Sequence, residues 1–235
     1  MHESIFSKHN LKLDFSDKKT DLATMAYSQL KQAILFDELH VGDMLSENSI
    51  AGALNMSRTP VREAFRRLRD DGLVTIIQGR GAFVKPISLE DQHDLYELRI
   101  VMECYAAKTA ANNFTQEEID ELKSFWNEQL EHVPDGVDLV DLVAHDEVLH
   151  RMILEKSNNK QVAKAMANVH TMSFRYMMHS AKGLNDPMEM IRQHLEIIDL
   201  IQKKDADNLV KTLRQHIINS ERNILSLYYF DNPSV

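Results

Sequence analysis

The chain has 235 residues, 43% of them hydrophobic, and 27 Lys+Arg against 36 Asp+Glu give a formal net charge of −9. That length suits one or two domains and buries a real core. The single cysteine, Cys104, excludes a disulfide framework within one chain; with no signal-peptide core and no run of about 18 apolar residues, a soluble cytoplasmic protein is expected.

Residues 1–20 are polar with scattered charge and are expected to form a mobile N-terminal arm or a short extra helix. A first domain is expected over 21–87. Within it, Ser46 can cap a short helix that buries Ile50, Ala53 and Leu54, and Asn55 and Met56 supply the turn that follows. Then Val61, Ala64, Phe65 and Leu68 repeat at i, i+3, i+4, i+7, which builds one apolar stripe. Arg58, Arg62, Arg66 and Arg69 fall on the other side. Ser57 or Thr59 can cap this helix, and Pro60 is tolerated in its first turn because its missing donor has no intrahelical partner there. Residues 73–78, then Gly79-Arg80-Gly81, then 82–84 read as strand, tight turn, strand. Glycines at the tip let backbone approach a phosphate, and Arg80 adds a charge able to reach phosphate or the minor groove. Each feature alone is more often a solvated charged face; the ordered series of helix, helix-turn-helix and glycine-tipped wing is far more specific, and it places the 57–68 helix in a DNA major groove.

Net charge at first opposes DNA binding, because polyanions attract basic proteins. Its distribution resolves the conflict. Residues 21–87 hold eight basic and eight acidic residues, whereas 88–235 hold fifteen and twenty-five. A reader that is only locally basic gains affinity by presenting two copies to a two-fold site, so a homodimer is expected.

After Pro86 and a capping Ser88, the pattern from residue 89 onward is helical: 89–112, 115–131, 138–157, 159–181, 187–203 and 206–229, broken by turn residues. Six helices make an all-α bundle. Asp146 and His150 are four apart and share a helix face, which suits a shared metal. If the last four helices run up and down, His194 and His216 fall at the same level as that pair. Three imidazoles and one carboxylate suit a divalent ion, zinc first, with nickel, iron or manganese as alternatives. Four unrelated polar residues are the competing reading. His145, His170 and His179 do not join the layer by the same count and read as ordinary surface or core histidines.

The run Ser-Arg-Thr-Pro-Val-Arg-Glu-Ala at 57–64, with the wing after it, resembles the winged helix-turn-helix of GntR-type bacterial transcription regulators. The resemblance implies DNA contacts at Ser57, Arg58, Arg62 and Gly79, with Thr59 and Arg80 beside them. At Asn48 the family often has arginine. Residues 89–230 resemble the FadR-type (FCD) effector domain, and the six helices its VanR-like subgroup. That likeness implies metal ligation by Asp146, His150, His194 and His216 and a small carboxylate as effector. It also implies that Arg99 grips that carboxylate, against which stands an Arg99–Glu103 ion pair within the helix. Arg175 and Tyr176 are further candidates for the pocket wall.

The expectation is therefore a mainly α, non-enzymatic regulator, a repressor in the family's commonest arrangement. It binds a palindromic double-stranded operator as a homodimer and responds to a small organic acid, with no membrane partner. The alternatives are a helical metalloenzyme, since Asp/His₃ with open positions can activate water, and a DNA-binding protein whose metal is structural.

Overall fold

The computed structural model describes residues 21–86, 88–181 and 186–231, with side chains as far as 226; the expected N-terminal arm lies outside them. The chain divides into two compact units between Ile87 and Ser88.

In the first unit, helix α1 (Leu22–Leu35) is capped by Asp21, whose carboxylate accepts from the Thr24 amide at 2.8 Å. It packs on α3 (Arg58–Asp70) through Ala26, Leu30, Ala33 and Ile34, against the Val61, Ala64, Phe65, Leu68 stripe. All four residues of that stripe are buried, as the i, i+3, i+4, i+7 spacing predicts. Tyr27 and Lys31 both bond Asp71 at the end of α3, which pins the two helices together. Between them lies α2 (Glu47–Ala53), which is short enough to bury fully only Ala51. Ile50 and Leu54 are half-buried and Ala53 is exposed, so the buried face is turned from the expected one, away from Ala53 and toward Ala51. Asn55, at φ 51°, makes the left-handed turn into α3.

Strands β2 (Val74–Ile77) and β3 (Gly81–Val84) pair antiparallel, Val74 opposite Val84 and Ile77 opposite Gly81. A third strand, β1 (Met44–Leu45), pairs with the far edge of β3 and gives the order β1-β3-β2. The wing is therefore anchored to the chain that leads into α2. Gly81 is obligatory for this: at φ 115° its added Cβ would stand 2.6 Å from the Leu45 carbonyl oxygen.

The second unit has six α-helices among the described residues: α4 (Leu89–Ala110), α5 (Gln116–His132), α6 (Leu139–Lys156), α7 (Lys160–Ser180), α8 (Pro187–Gln202) and α9 (Ala206–Asp231). Their starts follow local chemistry. Ser88 accepts from the Asp91 amide, Thr115 and Glu118 form a capping box, Asn159 caps α7, and Asp186 caps α8 before Pro187. Helix α4 packs one face against α9, α6 and α7. That position explains why its inward side carries Tyr96, Arg99 and Glu103, each no more than 1% exposed. No helix is long and apolar enough to cross a membrane among the described residues.

Candidate metal centre and nucleic-acid interface

Asp146 and His150 on α6, His194 on α8 and His216 on α9 come together in the bundle core, their ligand atoms all within 4.8 Å of one another. All four side chains are buried. The level-matching expected from helix lengths is what the fold delivers.

Each imidazole is oriented by its other nitrogen. His194 Nδ1 donates to the Met190 carbonyl at 2.7 Å, His216 Nδ1 to the Gln193 side-chain oxygen at 3.0 Å, and His150 Nδ1 to Glu103 Oε2. Those acceptors leave three Nε2 lone pairs facing inward. His194 Nε2 and His216 Nε2 lie 3.0 and 3.1 Å from Asp146 Oδ1, His150 Nε2 lies 3.6 Å from it, and His150 and His216 Nε2 are 3.1 Å apart. Asp146 Oδ2 is buried with no hydrogen-bond partner among the described residues. Lone pairs converging on a carboxylate repel one another unless a cation stands among them. The donor set fits a divalent ion with nitrogen and oxygen preference.

Without a metal, one proton supplies the positive charge. Burial opposes it, but the carboxylates of Glu103 and Asp146 push His150 up to about 9. His216 goes the other way: burial takes it down to about 4, against the pull of Asp146. Burial would raise Asp146, yet His150 and the imidazole hydrogen bonds hold it well below the usual carboxylate range.

A cavity of about 260 Å³ opens on this cluster, with Asp146 and His216 in its wall. Its polar lining comes from Gln193, Asn219, Ser220 and Asn223, and its apolar lining includes Val143 and Met177. Arg175 and Tyr176 do not line it; α7 contributes Met177, Ser180 and Ala181 instead, because those residues face α8 and α9. Arg99 is one layer back. Its Nε donates to Glu103 Oε1 at 2.7 Å and its Nη1 meets the Met177 sulfur at 3.9 Å, so the ion pair with Glu103 is formed and the cavity wall stands between Arg99 and the open space.

Sequence spacing missed several residues. His170, read as ordinary, is buried on α7 with Nδ1 about 3.0 Å from Glu147. Trp126 on α5 stacks on His194, ring centroids 3.9 Å apart and planes within 15°. Glu103 lies 47 residues from His150 and Gln193 23 from His216, and Trp126 is on α5 while His194 is on α8, so no local periodicity marks these relations. His145 stacks on Phe125 outside the cluster, as its direction on α6 requires.

In the first unit, α3 and the wing enclose a cleft that brings together Asn48, Arg58, Arg62, Gly79 and Arg80. Arg66 and Arg69 add to it. Ser57 and Thr59 stand exposed at the start of α3, outside the cleft. Ser57 is the N-cap by position but makes no side-chain cap bond, which leaves its hydroxyl to solvent. Arg67 turns away, donating to Thr24 at 3.0 Å and covering the Tyr27 ring. Glu47 grips Arg62 bidentately, at 3.0 Å to Nε and 2.8 Å to Nη2, and leaves the outer edge of the guanidinium open.

Comparison with known proteins agrees with both units. Residues 22–84 match bacterial regulatory proteins of the gntR family, and residues 94–219 match the FCD domain. The HTH-type transcriptional repressor RspR of Escherichia coli K12 is 28% identical over 191 residues, covering 81% of this chain and 83% of that protein. The Uxu operon regulator of Haemophilus influenzae is 29% identical over 221 residues, covering 87% and 82%. In fold, E. coli McbR/YncC superposes with a TM-score of 0.77 at 18% identity, over 89% of this chain and 99% of that one. A GntR regulator from Rhodococcus sp. RHA1 gives 0.72 at 24% identity, over 88% and 99%. The chain belongs to the GntR family of bacterial regulatory proteins, its winged helix-turn-helix followed by an FCD domain.

Proposed function

We propose that this protein is a metabolite-responsive repressor that binds a palindromic operator as a homodimer and is controlled by a small carboxylate at a divalent metal in the FCD domain. The observation that carries the reading is the inward convergence of three oriented Nε2 lone pairs and Asp146 beneath an open cavity. Asp146, His150, His194 and His216 hold the ion, zinc in first place. When bound, it supplies a Lewis-acidic anchor for an anionic oxygen. Gln193, Asn219 and Asn223 offer amide groups to the rest of a small polar acid. Arg99 contributes positive charge from behind Met177 and reaches the effector directly only if that residue moves aside.

The DNA-facing residues are Ser57, Arg58, Thr59, Arg62, Gly79 and Arg80, with Asn48 at the cleft edge. Arg62 has its inner edge held by Glu47 and its outer edge presented, the form in which arginine reads guanine. Two-fold pairing finds support on α4. Leu98, Val101 and Tyr105 are exposed at i, i+3, i+7, at 43, 64 and 54%. Exposed Asp94 and Glu97 lie toward one end of that stripe and Lys108 toward the other. Antiparallel copies of α4 centred on Val101 set the acidic end against the partner's Lys108, which is the self-complementary pattern an isologous contact needs. Effector binding then favours one placement of the paired DNA-binding units and changes operator affinity.

The test is a pair of variants on DNA from upstream of the protein's own gene. Arg62→Ala loses the specific gel shift and keeps its metal content; His194→Ala loses metal and its response to small carboxylates. Unaltered operator binding by Arg62→Ala would sink the assignment of the recognition helix. Turnover of a carboxylate by the metal-loaded protein would favour an enzyme instead.

A further inference from the structure

Outside the four ligand residues, the bundle core holds a second buried polar group whose position is not explained by packing. Glu103 is 0% exposed and divides its two oxygens between partners of different kinds. Oε1 accepts from Arg99 Nε at 2.7 Å, and Oε2 accepts from His150 Nδ1. His170 stands nearby, its Nε2 3.4 Å from Oε1 but without a hydrogen bond among the described residues, while its Nδ1 is held by Glu147 on α6. Arg99 and Glu103 are neighbours on one helix turn, so an ion pair between them needs no more than spacing. The bond to His150 does need more: it crosses from α4 to α6 and meets the imidazole on the nitrogen away from the cluster.

We propose that Glu103 is a positioning residue of the metal centre, which fixes the tautomer and ring direction of His150 and makes its Nε2 a stronger donor, with Arg99 holding the carboxylate in place. The inference rests on the metal reading given above. A carboxylate behind a ligating imidazole lowers the cost of orienting it and raises its basicity, and loss of such a group weakens metal binding by about 10- to 100-fold. Arg99, its Nε 2.7 Å from Oε1, offsets the buried negative charge of Glu103.

The experiment titrates zinc into the metal-free full-length chain against a chromophoric chelator, for two pairs: wild type with Glu103→Gln, and Arg99→Met with the double variant Arg99→Met/Glu103→Gln. The second pair removes the buried cation first, so that the glutamate is replaced without stranding Arg99. Each pair is read where both members keep the helical circular dichroism of the parent. The expected result is a 10- to 100-fold weaker zinc affinity on replacing Glu103 in either pair, with Arg99→Met serving as the reference for the second pair. In zinc-loaded protein the His150 Nδ1 proton, far downfield in wild type, moves upfield in Glu103→Gln. Affinities equal within twofold across a folded pair overturn the proposal. A wild-type chain that takes up no zinc overturns the metal reading and this inference together, an outcome distinct from zinc uptake that is indifferent to Glu103.

Discussion

His150 is the residue on which charge, orientation and stability meet. In the metal-free protein its conjugate acid persists up to about pH 9 because Glu103 and Asp146 face it from both sides and outweigh burial. The folded value lies above the ordinary 6.5, so the stabilisation is complete below pH 6.5 and is lost as pH rises through 9. Metal-free protein should therefore melt at a lower temperature at pH 9.5 than at pH 7.5, by on the order of 5 °C for a chain of this size. His150→Gln should show a visibly shallower trend in the same calorimetric scans; parallel curves for the two proteins would refute it. Zinc-loaded protein should lack this loss, since the cation no longer depends on pH. At this scale the sequence showed Asp146 and His150 plainly, because four residues on a helix is a local relation. His194 and His216 needed only helix lengths. The bond from Glu103 to His150 and the place of His170 stayed hidden because such partners are set by which helices touch; for Arg99, spacing offered the ion pair with Glu103, which is formed, while the effector contact came from the family resemblance.

Among elements, α3 was legible from its stripe and β2 and β3 from their β-branched run and glycine turn. Strand β1 was not, since two residues carry no periodicity and Met44 and Leu45 become a strand only when β3 lies beside them. Helix α2 was placed correctly but its face was not, since a seven-residue element exposes most of what it carries. The link from β1 to β3 gives Gly81 a role beyond turn-making. Gly81→Ala forces a methyl against the Leu45 carbonyl, at a cost of about 1–3 kcal/mol. The expected outcome is a lower melting temperature of the DNA-binding unit and a weakened operator shift, with zinc affinity unchanged. A variant that binds operator like wild type would show that the wing is not held by this contact.

For the whole molecule, the division of charge matters more than its total. The DNA-binding unit is balanced and concentrates its arginines in one cleft, while the acidic remainder follows it. On the proposed reading one copy binds DNA modestly, and pairing raises affinity at an operator. Val101→Arg puts like charges opposite each other at the centre of the α4 stripe, and in sedimentation it should shift the protein from dimer to monomer. Operator affinity should fall at least tenfold, and the loss should be steepest at low protein concentration. A dimer that survives Val101→Arg moves the two-fold contact to another face. The six-helix count was readable because turn residues punctuate this chain so regularly; the neighbour relations that set α4 against α9, α6 and α7 were not, because nothing in a single helix states its company.

The stack of Trp126 on His194 has a practical consequence. Trp126 is the chain's only tryptophan and is fully buried, its indole Nε1 without a hydrogen-bond partner among the described residues. Selective excitation therefore probes one ring, 3.9 Å from an imidazole of the cluster. A metal ion bound by His194, or an acid seated beside it, should therefore register as a change of ultraviolet emission. The protein carries its own optical gauge of the centre, and unlabelled chain can be screened against metals and acids in a plate reader.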